Sequence, residues 1–181
     1  MPDENPNPMQ KLSSRQIHKT PWLGVREDQV RMADGRETAY TVIECGHCVG
    51  VLPLTSDGNV LMVRQYRYIA GRYTWEMPTG GVRKGERFED AAQRELAEEA
   101  GHRARILEPV CVYHTSKSSI DETAHLYIGR ELEPASATAD EDEQIDVTAM
   151  PLDLVLQMVL SGEITDSMTI IAVLHAVRPT R

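Results

Sequence analysis

Carboxylate side chains are concentrated in residues 79–102, a segment with a pair of glycines near its start. Glu95 and Glu99 are four positions apart, so a helix would place them on one side, with Glu98 one step further round. Like charges at this spacing repel one another and weaken an isolated helix, and a bound cation would reverse that cost. Carboxylate oxygens suit Mg²⁺, with Mn²⁺ as the alternative. The segment therefore predicts a site that holds a divalent cation against a phosphate ester.

The same segment has the pattern of a helix that ends at a glycine. Glu86 to Asp90 would supply an acidic first turn, which the helix dipole favours, and Gly101 would end the helix. Apolar side chains recur at helical spacing along one stripe: Phe88, Ala92, Leu96 and Ala100. The candidate metal ligands border this stripe, whereas a merely solvated charged face would lie opposite it. An ordinary amphipathic surface helix with an Arg94–Glu98 ion pair is the alternative that the helix alone leaves open.

The spacing of glycine, carboxylate and arginine in this segment resembles the Nudix box. The matching residues are Gly80, Glu86, Arg94, Glu95, Leu96, Glu98, Glu99 and Gly101. The one departure is His102, where the family usually has a bulky apolar residue. The resemblance implies an α/β fold, the Nudix α/β/α sandwich with a mixed central sheet, and metal-dependent cleavage of a phosphorus anhydride.

The elements around the box predict how it is positioned. Residues 1–18 are rich in Pro, Asn and Ser and are expected to form a flexible tail. Residues 19–48 are expected to form a small antiparallel β unit, with a hairpin turn at Asp34-Gly35. Residues 49–181 would be the Nudix hydrolase domain. Strand-like runs lie on both sides of the box helix, and two further helices are expected near the C-terminus, at 151–161 and 166–176, which is typical of an α/β sandwich.

Two segments resemble one branch of the family, the ADP-ribose pyrophosphatases and nucleoside diphosphate sugar hydrolases. They are Arg64-Gln65-Tyr66-Arg67 and Trp75-Glu76-Met77-Pro78. The resemblance implies a homodimer in which the N-terminal unit is exchanged and both chains contribute to the substrate site. Pro78-Thr79-Gly80 replaces the usual Pro-Ala-Gly, and Ser116 to Ser119 replaces a loop that commonly carries Pro-Gly. A GDP-mannose-type sugar, or another ADP-linked compound, therefore stays open as the substrate.

Residue roles follow from this resemblance and from the helix geometry. Glu95 and Glu99 are the expected metal ligands, and Glu98 is a third ligand or a ligand through water. Thr79 would add its backbone carbonyl, as the family position implies. Arg94 would orient the carboxylates by bidentate pairing, with Glu86 as its expected partner.

The catalytic base is expected in an acidic loop after the box, as in this branch. Glu143 and Glu141 are the candidates in that order, with Glu98 as the third, and a purely solvated acidic loop is the alternative. The candidate substrate contacts are Arg64, Arg67, Trp75, Glu76, Tyr66 and Gly81. For the two arginines, a structural ion pair is as well supported as a substrate contact. For the two aromatic residues, burial at a strand end is nearly as well supported as stacking on a nucleobase.

Composition excludes some functions. The 181 residues carry a net charge of −9, which argues against a nucleic-acid partner but not against a small nucleotide sugar. Apolar residues make up 41% of the chain without a run of membrane-spanning length, and the N-terminus lacks an apolar signal sequence, so a cytoplasmic protein is expected. Cys45 and Cys48 have the spacing of a redox pair or half a zinc site, but strand-like flanks favour ordinary strand residues. A catalytically silent ligand-binding domain is the alternative to an enzyme.

Overall fold

The structure is a computed structural model that describes residues 7–136 and 145–178. The strands in these residues are β1 (Met9–Lys19), β2 (Gly24–Met32), β3 (Glu37–Pro53), β4 (Asn59–Arg67), β5 (Arg72–Glu76), β6 (Thr79–Gly81), β7 (His102–His114), β8 (Ile120–Pro134) and β9 (Asp146–Pro151). The helices are α1 (Phe88–Ala100), α2 (Leu152–Ser161) and α3 (Ser167–Ala176). None of these helices has the length and apolar character needed to cross a membrane.

The chain divides into two compact units. The smaller unit comprises the residues up to Gly46 together with His114–Glu122, and the larger comprises His47–Tyr113 and the residues from Thr123 onward. Strands β3, β7 and β8 contribute residues to both units.

In the smaller unit, β1, β2 and the first part of β3 form an antiparallel meander. The turn between β2 and β3 contains Gly35 at a φ of 84°, a left-handed conformation that glycine adopts without strain, so the expected hairpin is confirmed. The expectation of a flexible tail is wrong for residues 9–18, because β1 begins at Met9 and pairs with β2 along its length. Most side chains of β1 are exposed, and the strand is held by backbone hydrogen bonds that sequence hydropathy does not reveal.

In the larger unit, successive strand residues alternate between two apolar cores. Val51 and Leu61 belong to one core, and their neighbours Leu52 and Met62 belong to the other. Successive side chains of a strand point to opposite faces, so the strands lie between the cores. The first core receives Ala91, Ala92, Leu96 and Ala100 from α1, and the second receives Val155, Met158, Met168, Ala172 and Val173 from α2 and α3. The α/β/α sandwich is thereby confirmed.

The strands of the larger unit fall into two sheets. One has the order β3-β8-β7, with the short β6 paired to β3, and the other has the order β5-β4-β9. The β6 pairing aligns Gly80 with Val49. It therefore fixes the glycine pair of the box beside the start of the buried part of β3, where Val49 is fully buried.

The two C-terminal helices lie where the sequence predicted them. α2 ends at Gly162, which has a φ of 78°. α3 begins after Asp166, whose carboxylate accepts a hydrogen bond from the Thr169 N–H at 2.7 Å. The Thr169 hydroxyl in turn accepts from the Met77 N–H at 2.9 Å, which anchors the segment that leads into the box.

Candidate active site

Helix α1 turns two carboxylates toward the interior. Glu95 and Glu99 are each only 8% exposed and lie beside the fully buried Leu96, at the edge of the apolar stripe, as the sequence predicted. Glu98 is more open, with 24% of its side chain exposed. Burying charged groups is costly unless they are paired, so this helix face has a role beyond packing.

Glu86 lies before the helix, which corrects the expectation that it opens the first turn. Its carboxylate accepts a hydrogen bond from the Arg83 N–H at 2.8 Å, and its own N–H donates to the Arg83 carbonyl at 3.0 Å. Side-chain bonds of this kind compete with helix formation, and α1 starts only at Phe88, with Glu89 and Asp90 in its first turn.

Arg94 joins the carboxylates into one network. Its Nε and Nη2 donate to the two oxygens of Glu86 at 2.8 and 3.0 Å. Its Nη1 donates to Glu95 at 2.6 Å and to Glu98 at 3.0 Å. Its Nη2 also donates to the Gly81 carbonyl at 2.9 Å, which ties the network to β6. The expected Arg94–Glu86 pair and its Glu98 alternative are both present.

The network keeps the Glu86 carboxylate ionised. Hydrogen bonds from Arg94 lower the pKa of Glu86 to about 2, and the Arg83 N–H adds to this effect while burial opposes it. The pKa of Arg94 is raised, chiefly by its bonds to Glu86. The Arg94–Glu86 ion pair therefore stays charged at neutral pH.

The glycine strand β6 closes over these carboxylates. A Cβ on Gly80 would collide with the Glu95 carboxylate, so any side chain at this position would require that carboxylate to move. Gly81 has open space around it, which leaves its backbone accessible. The Thr79 N–H donates to the Glu99 carboxylate at 3.0 Å, so both ends of the β6 backbone contact the α1 network.

The donor set fits a hard divalent cation, although the side chains are arranged around Arg94. In the part of the chain that the structure describes, no three His, Cys, Asp or Glu side chains are grouped so as to hold an ion. Carboxylate oxygens and a backbone carbonyl are the ligands that Mg²⁺ prefers. To bind an ion, Glu95 and Glu98 would have to turn away from Arg94, to which both are now hydrogen-bonded.

The candidate substrate residues of β4 and β5 form a separate group. In the register of this hairpin Arg64 faces Trp75, and Tyr66 faces Tyr73. The Arg64 guanidinium lies 4.9 Å from the Tyr73 ring centre and 5.7 Å from that of Trp75. Tyr66 and Tyr73 are each 54% exposed, with ring centres 5.5 Å apart. The hairpin thus presents a cation stacked on aromatic rings, which suits a nucleobase or a phosphate.

Arg67 and Glu76 form the structural ion pair that the sequence left open as an alternative. The Arg67 Nε lies 3.0 and 3.1 Å from the two Glu76 oxygens, and the Thr74 hydroxyl donates to the same carboxylate at 2.5 Å. Glu76 is only 5% exposed. This bidentate pairing occupies the carboxylate that was a candidate ribose contact.

Two further sequence hypotheses have different outcomes. Glu141 and Glu143, the candidate bases, lie outside the described residues. Cys45 and Cys48 lie within β3, as their strand-like flanks predicted, and Cys48 contacts the Thr123 carbonyl at 3.8 Å.

Sequence reasoning missed two polar features. Tyr73 belongs to the aromatic face of the hairpin, and only the strand register reveals this.

In the smaller unit, Arg26 bonds Asp28 at 3.0 Å and Glu44 at 2.5 Å, and its hydrogen bond to Glu44 lowers the pKa of that carboxyl. Alternation along β2 could have placed Arg26 and Asp28 on one face, but not their partner on β3.

The chain is similar to known proteins along most of its length. An ADP-ribose pyrophosphatase from Bacillus subtilis (strain 168) is 30% identical over 90% of this chain and 89% of its own length. One from Mycobacterium tuberculosis (strain ATCC 25618 / H37Rv) is 33% identical over 92% of this chain and 83% of its own length. A crystal structure of an ADP compounds hydrolase covers 96% of this chain and 95% of its own, with a TM-score of 0.84 and 19% identity, and so shows the shared fold.

Family descriptions match along most of the chain. The nucleoside diphosphate sugar hydrolase N-terminal domain matches residues 9–43, which include the strand that the sequence placed in a tail. The NUDIX domain matches residues 46–167, which include the Arg94 network and both paired sheets of the larger unit. With the box residues assembled and this match over more than half its length, the chain belongs to the Nudix family.

Proposed function

We propose that the protein is a divalent-cation-dependent pyrophosphohydrolase that acts on ADP-ribose or a related nucleoside diphosphate sugar. The products would be a nucleoside monophosphate and a sugar phosphate. The observation that carries the proposal is the buried Glu95–Glu99 face of α1, closed by strand β6, in which a side chain at Gly80 would displace the Glu95 carboxylate. The carboxylates lie beside the exposed backbone of Gly81. This combination suits an ion and a phosphate group.

Glu95, Glu99 and Glu98 would hold the cation, together with the Thr79 carbonyl, and Mg²⁺ suits these donors best, with Mn²⁺ as the alternative. When bound, the ion would draw charge from the pyrophosphate oxygens and acidify the attacking water. Arg94 keeps its bonds to Glu86 and to the Gly81 carbonyl, so it stays oriented while the other carboxylates rearrange.

A carboxylate would accept the proton of the attacking water. We retain Glu143 and then Glu141 for this role, because they lie in the acidic segment that the family branch uses. Glu98 is the third candidate, and its exposure makes it the most accessible carboxylate of the Arg94 network.

Arg64 is the favoured contact for the substrate phosphate or base, with Tyr66 and Trp75 beside it. Its guanidinium lies against the rings of Tyr73 and Trp75, whereas that of Arg67 is paired with Glu76. Arg67 and Glu76 would then position the hairpin, and contact with the substrate would be secondary. The names of the two bacterial relatives favour ADP-ribose over a GDP-mannose-type sugar.

We further propose that the protein is a homodimer with a shared substrate site, in which residues 19–48 act as the exchanged unit and 49–181 as the hydrolase domain. The N-terminal family match supports this, and its start at residue 9 extends the unit toward the N-terminus. A small three-stranded meander with mostly exposed β1 side chains gains stability by packing on another surface. The cytoplasmic location stays a prediction, which cell fractionation would test.

One experiment tests the activity. The protein is incubated with Mg²⁺ and a panel of ADP-ribose, GDP-mannose, UDP-glucose, NADH, diadenosine polyphosphates and nucleoside triphosphates, and monophosphate release is measured. We expect metal-dependent cleavage with ADP-ribose preferred. No cleavage of any member would favour the silent ligand-binding domain, and preference for triphosphates would contradict the assigned branch.

The dimer is tested separately. Sedimentation should give twice the chain mass, and removal of the first 45 residues should abolish both the dimer and the activity. A fully active monomer would refute the shared site.

A further inference from the structure

Two histidine rings face each other in the larger unit, on the neighbouring strands β3 and β8. The Nδ1 of His47 lies 3.1 Å from the Nε2 of His125. Phe88 stacks on the His125 ring with a centroid distance of 3.7 Å and an angle of 19°, and it lies 5.1 Å from the His47 ring. Contacts among the three rings restrict their rotation, so the two facing nitrogens are kept close together.

The separation of these nitrogens is close to that of two ligands on one metal ion. Zinc binds imidazole nitrogen at about 2.0–2.1 Å in tetrahedral geometry, which places two ligand nitrogens about 3.4 Å apart. An opening of a few tenths of an ångström would bring His47 and His125 to that spacing. His47 is exposed, so an ion can reach the pair from solvent.

The protonation state of His125 also suits a metal ligand. Burial, and then the charge of His47, lowers the pKa of His125, so this ring is neutral at neutral pH. In the present contact one ring donates its N–H to the lone pair of the other. A shift of that proton to the opposite nitrogen of the same ring frees both facing lone pairs without loss of a proton. The charge of Glu89 opposes the lowering of the His125 pKa only in part.

We propose that His47 and His125 bind a first-row transition ion of the Zn²⁺ class at a second site, distinct from the carboxylates of α1. Imidazole nitrogen suits Zn²⁺, Ni²⁺ and Cu²⁺, whereas carboxylate oxygen suits Mg²⁺, so the two sites differ in ion preference. Water fills the remaining coordination positions, since no third ligand is grouped with the pair among the described residues. Phe88 is the first residue of α1, so the ion would stabilise the start of the helix that carries the catalytic carboxylates.

Calorimetric titration of the full chain with Zn²⁺, in excess Mg²⁺, tests the site. We expect one saturable Zn²⁺ site per chain, weakened at least about tenfold in His47→Ala and in His125→Phe. His125→Phe keeps an aromatic ring against Phe88, and His47→Ala changes an exposed residue, so at least one variant should fold. Zn²⁺ should also raise the melting temperature of the wild type and leave that of both variants unchanged.

Three control variants assign the ligands. His18→Ala removes a histidine from β1, Cys48→Ser removes a nearby thiol, and Glu99→Gln alters the carboxylate site. All three should keep Zn²⁺ affinity within about twofold of wild type. Equal binding by wild type and His47→Ala, or loss of binding in Cys48→Ser or Glu99→Gln, would overturn the proposal. None of these outcomes depends on hydrolytic activity, so failure here leaves the proposed function standing.

Discussion

Two arginines of the larger unit bind carboxylates, and they do so in different ways. Arg67 meets a single buried carboxylate, that of Glu76, in a bidentate pair. Arg94 meets Glu86, Glu95 and Glu98, and a fourth carboxylate, that of Glu99, lies on the same helix bonded to the β6 backbone.

The difference is one of charge balance. At Arg67 one positive group neutralises one negative group, so the pair can remain in place through any reaction. At Arg94 the carboxylates outnumber the central guanidinium, and the outlying Arg83 approaches Glu98 only at 3.6 Å. A divalent cation would compensate the excess negative charge. The first arrangement therefore stabilises a hairpin, and the second fits the proposed metal site.

Glu99→Gln should break the metal site with the largest effect. The amide removes one negative charge from the cation ligands, so turnover should fall by about 1,000-fold, which corresponds to ~4 kcal/mol of transition-state stabilisation. Steady-state hydrolysis of ADP-ribose measures the loss, and denaturant unfolding checks the fold. Asp90→Asn, an exposed change in the first turn of α1, is the matched control and should keep full turnover. Unchanged turnover in Glu99→Gln would show that the metal ligands are misassigned.

Arg67→Met should instead lower stability. It leaves the Glu76 carboxylate buried without its guanidinium, so the free energy of unfolding should fall by about 3 kcal/mol. Urea denaturation measures this, with Arg72→Met, on the same hairpin, as the control. A stable Arg67→Met protein whose turnover falls as far as that of Glu99→Gln would make Arg67 a substrate contact after all.

The Arg94 network should make the metal-free protein sensitive to acid. The folded-state pKa of Glu86 is about 2, below its ordinary value of 4.5, so its contribution is present above pH 4.5 and is lost as the pH falls toward 2. The contribution is at most about 3 kcal/mol. Unfolding by urea at a series of pH values measures it, and Glu86→Gln should flatten the profile in that window. An equally steep profile in Glu86→Gln would assign the acid sensitivity to other groups.

Arg64→Gln should have the smallest effect. Loss of the stacked cation should raise the KM for ADP-ribose by about tenfold while kcat changes little, because the residue binds substrate without taking part in the chemical step. Arg64→Lys should recover only part of the loss, since lysine keeps the charge but not the planar stack. A large fall in kcat with unchanged KM would place Arg64 at the reacting phosphate.

The sequence predicted much of the larger unit because its signals are local. The helix of the box, its end at Gly101 and both C-terminal helices follow from periodicity and capping, which depend on neighbours within a few residues. It failed at β1, whose polar side chains give no alternation, and at Glu86, where a side-chain bond to Arg83 delays the helix.

By itself the sequence determined the family, the box helix and the identity of the carboxylates, because spacing along a helix fixes which residues share a face. Only the tertiary structure decided how those charges are balanced. In the folded chain Arg94 bonds three carboxylates, Gly80 packs closely against Glu95, and Arg67 pairs with Glu76. These contacts join residues on different elements, and their distances depend on strand register and packing that no single stretch of sequence specifies.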